Sequence, residues 1–133
     1  MSKAAELAAL IGSQTSLSNR NLIINGAMQV SQRGDSTGKT SGGYHACDRF
    51  NSLINSAGTW SLSQSTTAPT GFSSSFKLDC TTADSSLAAG DYVILEQRIE
   101  GQNLQQLSFG TSSAKKLTLS FYVRSNKTGT YVA

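Results

Sequence analysis

Gly38-Lys39-Thr40 ends like a phosphate-binding loop, and it is the first stretch of this chain whose residue types suggest chemistry. Such a loop needs a glycine five positions ahead of the Gly-Lys-Thr glycine, so that its backbone amides wrap phosphate, and a helix after the threonine. Arg33 holds the first position, Gly34 comes one residue late, and no helical pattern follows Thr40, so the phosphate reading fails. His45, Cys47 and Asp48 could offer three metal ligands, but nothing nearby completes a zinc set at the usual spacing. His45 is the only histidine, and no Gly-x-Ser-x-Gly elbow supplies a nucleophile for it. Glu96 and Glu100 fall four residues apart on an extended run, roughly 13 Å at about 3.3 Å per residue, too far to act as a glycosidase pair. No metal, cofactor or catalytic residue is assigned, and the chain reads as a protein without enzymatic activity.

Two tyrosines are better placed for recognition than any of these groups for catalysis. Tyr122 lies on the face opposite Phe121, and Tyr92 falls on the outer face of its own run, so both could offer a flat, polar-tipped ring to a sugar or to a neighbouring subunit. The competing reading packs these rings under loops. Trp60, in phase with Leu62, belongs to a core. Arg33-Gly34-Asp35 spells an adhesion tripeptide that recurs by chance, and Asn126-Lys127-Thr128 matches a glycosylation sequon that reads as turn chemistry.

The elements that must position these residues are strands. Leu117, Leu119, Phe121 and Val123 alternate with Thr118, Ser120, Tyr122 and Arg124, the pattern of a half-buried strand. Its apolar gain is offset by the entropy of fixing the backbone, so a facing sheet is needed to hold it. Tyr92 to Ile99, with Val93, Leu95 and Ile99 in phase, is the expected partner. Short strands are also expected at Ala46 to Phe50, running on to Ile54, at Trp60 to Leu62 and at Phe76 to Cys80. Asn25-Gly26 between Leu22-Ile23-Ile24 and Met28 to Val30 signals a hairpin or a strand with a bulge. Gln32 to Gly43, Thr66 to Ser74 and Thr81 to Gly90 read as loops, and Asn103 to Leu107 as one helical turn whose Leu104 and Leu107 plug an end of the core. Ser125 to Gly129 should turn the chain into Thr130 to Ala133. With about seven strands, the fold class is mainly β, a jelly-roll-like β-sandwich.

Ahead of that domain, Ser2 to Ile11 reads as a short helix with Ala4, Leu7, Ala8 and Ile11 on one stripe and Gly12 as its terminator. So short a helix is marginal alone, and the stripe suits attachment to another protein or packing of three copies about an axis. Residues 1–19 thus form a helix and linker, and residues 20–133 the β domain. The last strand is so short that it leaves an open edge. Either these residues belong to a longer product or other subunits cover the gap.

Composition agrees with a binding or assembly role. Hydrophobic residues make up 38% and charged residues 14%, leaving a surface of Ser, Thr, Asn, Gln and Gly. The net charge is +3, but the eleven lysines and arginines are scattered along the chain, which argues against nucleic-acid binding. No apolar run is long enough for membrane insertion, and no secretory signal pattern occurs. Cys47 and Cys80 flank Trp60 as in immunoglobulin domains, and are expected to be small buried hydrophobes, with their pairing left open.

Asn21 to Gly34, with Tyr44, Asp48-Arg49-Phe50, Gln97-Arg98-Ile99-Glu100-Gly101, Leu117 to Ser125 and Gly129-Thr130-Tyr131, resembles the signature of a family of bacteriophage virion proteins. Its members are described as tail-fibre or virion structural proteins and are frequent in phages of marine cyanobacteria. The resemblance covers about residues 20 to 133. It implies a sandwich similar to carbohydrate-binding modules, and a homotrimeric component of the virion tail, assembled in the host cytoplasm. Its implied partners are other tail proteins and a host surface polysaccharide. A lectin-like module and a head decoration or capsid-fibre protein are the alternatives. It carries over no catalytic residue.

Overall fold

Two neighbouring runs of alternating residues, joined by a short loop, pair with each other before anything distant can. The computed structural model, which describes residues 2–8 and 21–133, forms its longest ladder there. Strand β4 (Thr59–Ser65) lies antiparallel to β5 (Ser75–Thr82), so that Trp60 faces Cys80, Leu62 faces Leu78 and Gln64 faces Phe76. Gly58 enters β4 at φ +85° with the Thr82 carbonyl against its Cα, a place where any side chain would collide with backbone. The other edge of β4 takes β1 (Ser36–Lys39). Ser36 pairs with Leu62 and Lys39 with Trp60, and the residue gained between them is a bulge at which Gly38 adopts φ +66°.

The second sheet is β2 (Gly43–Tyr44), β3 (Asn51–Asn55) and β6 (Tyr92–Glu96), antiparallel throughout and ordered β2-β3-β6. Ile54 pairs with Val93, and both turn toward the first sheet, where Ala46, Ile54 and Leu62 form a buried cluster flanked by Trp60, Phe76, Leu78 and Val93. One core is therefore fed by both sheets. Phe50, buried just before β3, meets Phe76 of β5 edge to face at 6.4 Å and ties the sheets together at one end. The chain is mainly β, with residues 3–8 helical at its front.

Several expectations are corrected by this arrangement. Residues 117–124 form no strand. Leu117, Leu119, Phe121 and Val123 are between 54% and 72% exposed, and every residue from 109 to 133 is exposed. The core is already filled by β3 to β6, so the alternation of this run meets neither a sheet edge nor a facing layer. Its one aromatic contact is Tyr122 against Phe72, 5.8 Å between ring centres. The turn at Ser125 to Gly129 is local: the Tyr131 hydroxyl donates to the Lys127 carbonyl at 3.0 Å, and no strand flanks it.

Ala46 to Phe50 is not extended either, because Ala46 and Arg49 take φ of 54° and 74°, and the strand starts only at Asn51. Part of the expected loop Gln32 to Gly43 is instead the edge strand β1, whose polar residues suit a strand bonded on one side only. The expected strand from Tyr92 ends at Glu96, short of Ile99. Cys47 is buried as expected, but Cys80 is exposed and both thiols are free. The helical turn is longer than expected, a 3-10 helix from Gly101–Leu107, and of its two leucines Leu107 is buried and Leu104 half-buried. Helix residues Ala4, Leu7 and Ala8 are exposed, while Ile11, Gly12 and the linker lie outside the described residues.

Candidate functional site

The face of the second sheet turned away from the core carries a row of polar residues across all three strands. Tyr44 pairs with Asn51 and Asn51 with Glu96, so the three side chains stand side by side. Asn51 Nδ2 donates to Glu96 Oε1 at 2.9 Å, and Arg98 Nε donates to the same oxygen at 2.8 Å. The Asn51 bond, with Arg98 beside it, holds the Glu96 carboxyl below the usual carboxylate range. At the other end the Arg33 guanidinium lies 5.5 Å from the centre of the Tyr44 ring, a cation–π contact that orients it.

Arg33, Tyr44, Arg98 and Glu100 line a cavity of about 360 Å³ together with Arg49 and Ile99. Arg49 and Ile99 also belong to the wall of a second cavity of about 320 Å³, whose polar lining is made of Asn21, Gln102, Asn103 and Gln106. One cavity is thus rich in guanidinium groups and the next in amides, with a shared wall between them. Among the described residues neither Arg33 nor Arg49 has a hydrogen-bonding or carboxylate partner for its guanidinium, and the Arg98 guanidinium is engaged only through Nε.

The backbone around this groove is held by side chains where strands were expected. Asn25, at φ +58°, donates from Nδ2 to the carbonyls of Val30 and Asp48 at 2.9 and 3.0 Å, and accepts from the Val30 N–H at 3.0 Å. The Asn25-Gly26 turn exists at residues 24–27 but carries no hairpin, because the asparagine amide itself serves as partner to the returning chain. Gln97 acts likewise: its side-chain amide accepts from the Ile24 N–H at 2.7 Å and donates to the Ile24 carbonyl at 2.8 Å. Asp48 Oδ1 accepts from the Gln32 N–H at 3.0 Å. These bonds fix Arg49 in a left-handed conformation, a strain of about 1–3 kcal/mol of the kind that persists only where neighbours impose it.

The sequence-derived candidates are dispersed by comparison. Tyr92 lies on β6 opposite Asn55 and is 44% exposed, while Tyr122 sits against Phe72 in the loop before β5. Lys39 of the Gly-Lys-Thr run is on an edge strand. His45, Cys47 and Asp48 do not converge: the Cys47 thiol faces the Met28 carbonyl at 3.7 Å, and among the described residues no group of three His, Cys, Asp or Glu side chains is arranged to hold a metal ion. Burial, with Asp35 and Asp48 nearby, pushes the Cys47 thiol up to about 11. No described helix is long and apolar enough to cross a membrane.

Arg33, Arg49 and Arg98 are far apart in the sequence, and the fold brings these three of the eleven positive charges to one cavity. Asn21 to Gly34, Tyr44, Asp48-Arg49-Phe50 and Gln97 to Gly101, separate stretches in the sequence, meet around the groove. Comparison of the chain with protein-family models, with curated proteins and with solved structures finds no match.

Proposed function

We propose that the chain is a structural component of a bacteriophage virion, in a tail fibre or a fibre adaptor, built as a jelly-roll-like β-sandwich and assembled as a homotrimer. The observation that supports this reading is a set of apolar side chains, outside the two sheets in the sequence, that the chain itself leaves uncovered. Leu7 on the helix and Leu117, Leu119, Phe121 and Val123 near the other end are all more than half exposed. Exposed apolar side chains of that kind suit a surface that other chains cover. Ala4, Leu7, Ala8 and Ile11 are assigned to attachment or oligomerisation, and the resemblance to phage virion proteins supplies the kind of particle.

Deleting residues 1–19 should leave a folded domain that no longer joins particles. Normal incorporation of the deleted protein would overturn the reading. Copy number in purified particles separates a tail position from a head decoration, since a fibre is present in few copies and a decoration protein in many.

A second reading, recognition of host surface glycan, is favoured by the groove on the second sheet. Its amides and aromatic ring are the groups that hydrogen-bond sugar hydroxyls and cover sugar faces. Tyr92 and Tyr122 remain candidates for the same contact. Titration with purified host polysaccharide tests it, and absence of binding at millimolar ligand overturns it.

A further inference from the structure

We infer that the groove binds an acidic oligosaccharide, with the carboxylate of one sugar held by Arg33, Arg49 and Arg98 and the adjoining sugar held by the amides of Asn21, Gln102, Asn103 and Gln106. This rests on the recognition reading above and not on the assembly reading.

Three features lead to it. First, Arg33 and Arg49, whose guanidinium groups have no hydrogen-bonding or carboxylate partner among the described residues, line the same cavity as Arg98. Arginine presents its donors as a planar fork that matches a carboxylate. The Arg33 fork is pre-oriented by the Tyr44 ring and Arg98 by Glu96, which lowers the ordering cost of binding.

Second, Glu100 stands in the same wall. A carboxylate repels a compact multivalent anion, but it accepts hydrogen bonds from hydroxyl groups. The lining therefore suits a ligand that carries one negative charge and several O–H donors, which describes a uronic or similar sugar acid better than a phosphate.

Third, the two cavities share Arg49 and Ile99, and each, at about 360 and 320 Å³, lies at the small end of the range for ligand pockets. They accommodate adjacent sugar units, one charged and one neutral or amidated, with Ile99 giving an apolar contact between them. The clamp of Asn25 on the Asp48 carbonyl and of Gln97 on Ile24 makes the groove pre-formed.

Isothermal titration of the full chain with digalacturonic acid, with its methyl ester and with inorganic phosphate tests the inference. The acid is expected to bind, and removing its charge as the ester should weaken binding about ten- to hundredfold, the loss expected for charge-assisted hydrogen bonds. Arg33→Gln with Arg49→Gln should reduce acid binding by a similar factor without changing the thermal midpoint. Equal affinity for acid and ester overturns the inference while leaving glycan recognition standing. No binding of either overturns the inference, while the glycan reading is judged by the host-polysaccharide titration above. Phosphate competing as strongly as the sugar acid reduces the groove to a plain oxyanion site and also overturns it.

Gln106→Ala supplies an independent arm if the arginine variant does not fold. It should weaken the disaccharide and leave galacturonic acid itself unaffected, and an equal effect on both sugars overturns the two-cavity assignment. The imidazole of His45, whose pKa is lowered by burial and by Lys39 and Arg33, gives a spectroscopic readout. Its NMR titration should move upward when an acidic sugar occupies the groove, and a midpoint unchanged at saturating ligand places binding elsewhere and overturns the assignment.

Discussion

Strand β4 and residues 117–124 carry the same alternation of apolar and polar side chains, yet Leu62 of β4 is fully buried and Leu119 is 63% exposed. By hydrophobicity alone the second run is the stronger strand. What separates them is partners: β4 is flanked on both edges, by β1 and β5, and its leucine faces Ile54 from the other sheet. Residues 117–124 have neither a bonded edge nor a facing layer. Alternation fixes which side chains share a face, but whether that face is covered depends on the rest of the fold.

The sharpest way to break the comparison is to truncate both leucines. Leu62→Ala should cost about 2–5 kcal/mol in denaturant unfolding, as for a leucine that leaves a closed cavity, whereas Leu119→Ala in the isolated chain should fall within about 0.5 kcal/mol of neutral. Equal losses would mean that the C-terminal run is docked. In an assembled particle the Leu119 change should become costly, which would locate its cover in another chain.

A smaller effect separates clamp from core. Asn25→Ala removes three hydrogen bonds and puts at positive φ a residue that tolerates it less well than asparagine, and should cost about 1–3 kcal/mol. Asn25→Gly keeps the backbone conformation, so the difference between the two variants isolates the backbone share. Either variant should weaken ligand binding in the groove by unfixing Arg49, measured by the same titration as above.

The two cysteines set out the contrast in reactivity. Cys80 should react with a thiol reagent in the native protein at neutral pH. Cys47, buried and with its thiol pushed up to about 11, should react only as fast as the protein opens. Because the unfolded thiol ionises at an ordinary value, Cys47 contributes stability that is complete below that value and is lost as pH rises through about 11. Cys47→Ala should flatten this alkaline slope in unfolding experiments.

The smallest expected effect is at His45. Its pKa is lowered in the folded chain, first by burial and then by Lys39 and Arg33, so the unfolded chain takes up the proton first. Stability is therefore full above the ordinary histidine range and declines as pH falls through it. His45→Gln should remove that part of the acid limb. A slope of unchanged steepness would assign it to other groups.

Strands β4, β5 and β6 were legible because each has period-two alternation and a turn-rich boundary, and the loop from Thr66 was legible for the same reason, while the loop expected from Thr81 begins only after Thr82, where β5 ends. Strand β1 was not, since an edge strand bonded on one side needs no apolar residue. The hairpin expected at Asn25-Gly26 failed because a turn signal does not say what the returning chain will pair with, and here side-chain amides took that place. Strand Ala46 to Phe50 failed because two non-glycine residues at positive φ, Ala46 and Arg49, leave no trace in residue type. The site was legible only in pieces. Arg33, Arg49 and Arg98 are brought together by bonds between segments, such as Gln97 to Ile24, that span most of the chain.

That bond has a mechanical meaning. The segment from residue 21 meets the sheets through the amide of Gln97, which holds the Ile24 N–H and carbonyl, the amide of Asn25, which holds Val30 and Asp48, and the amide of Gln64, which donates to the Met28 and Gln29 carbonyls. A tether fastened ahead of Asn21 would therefore deliver its pull to the edge of β6 and to the approach of β3, beside the groove. A pull on this segment and the shape of the groove wall are coupled through these side chains, and shortening Gln97 by one methylene would weaken that coupling.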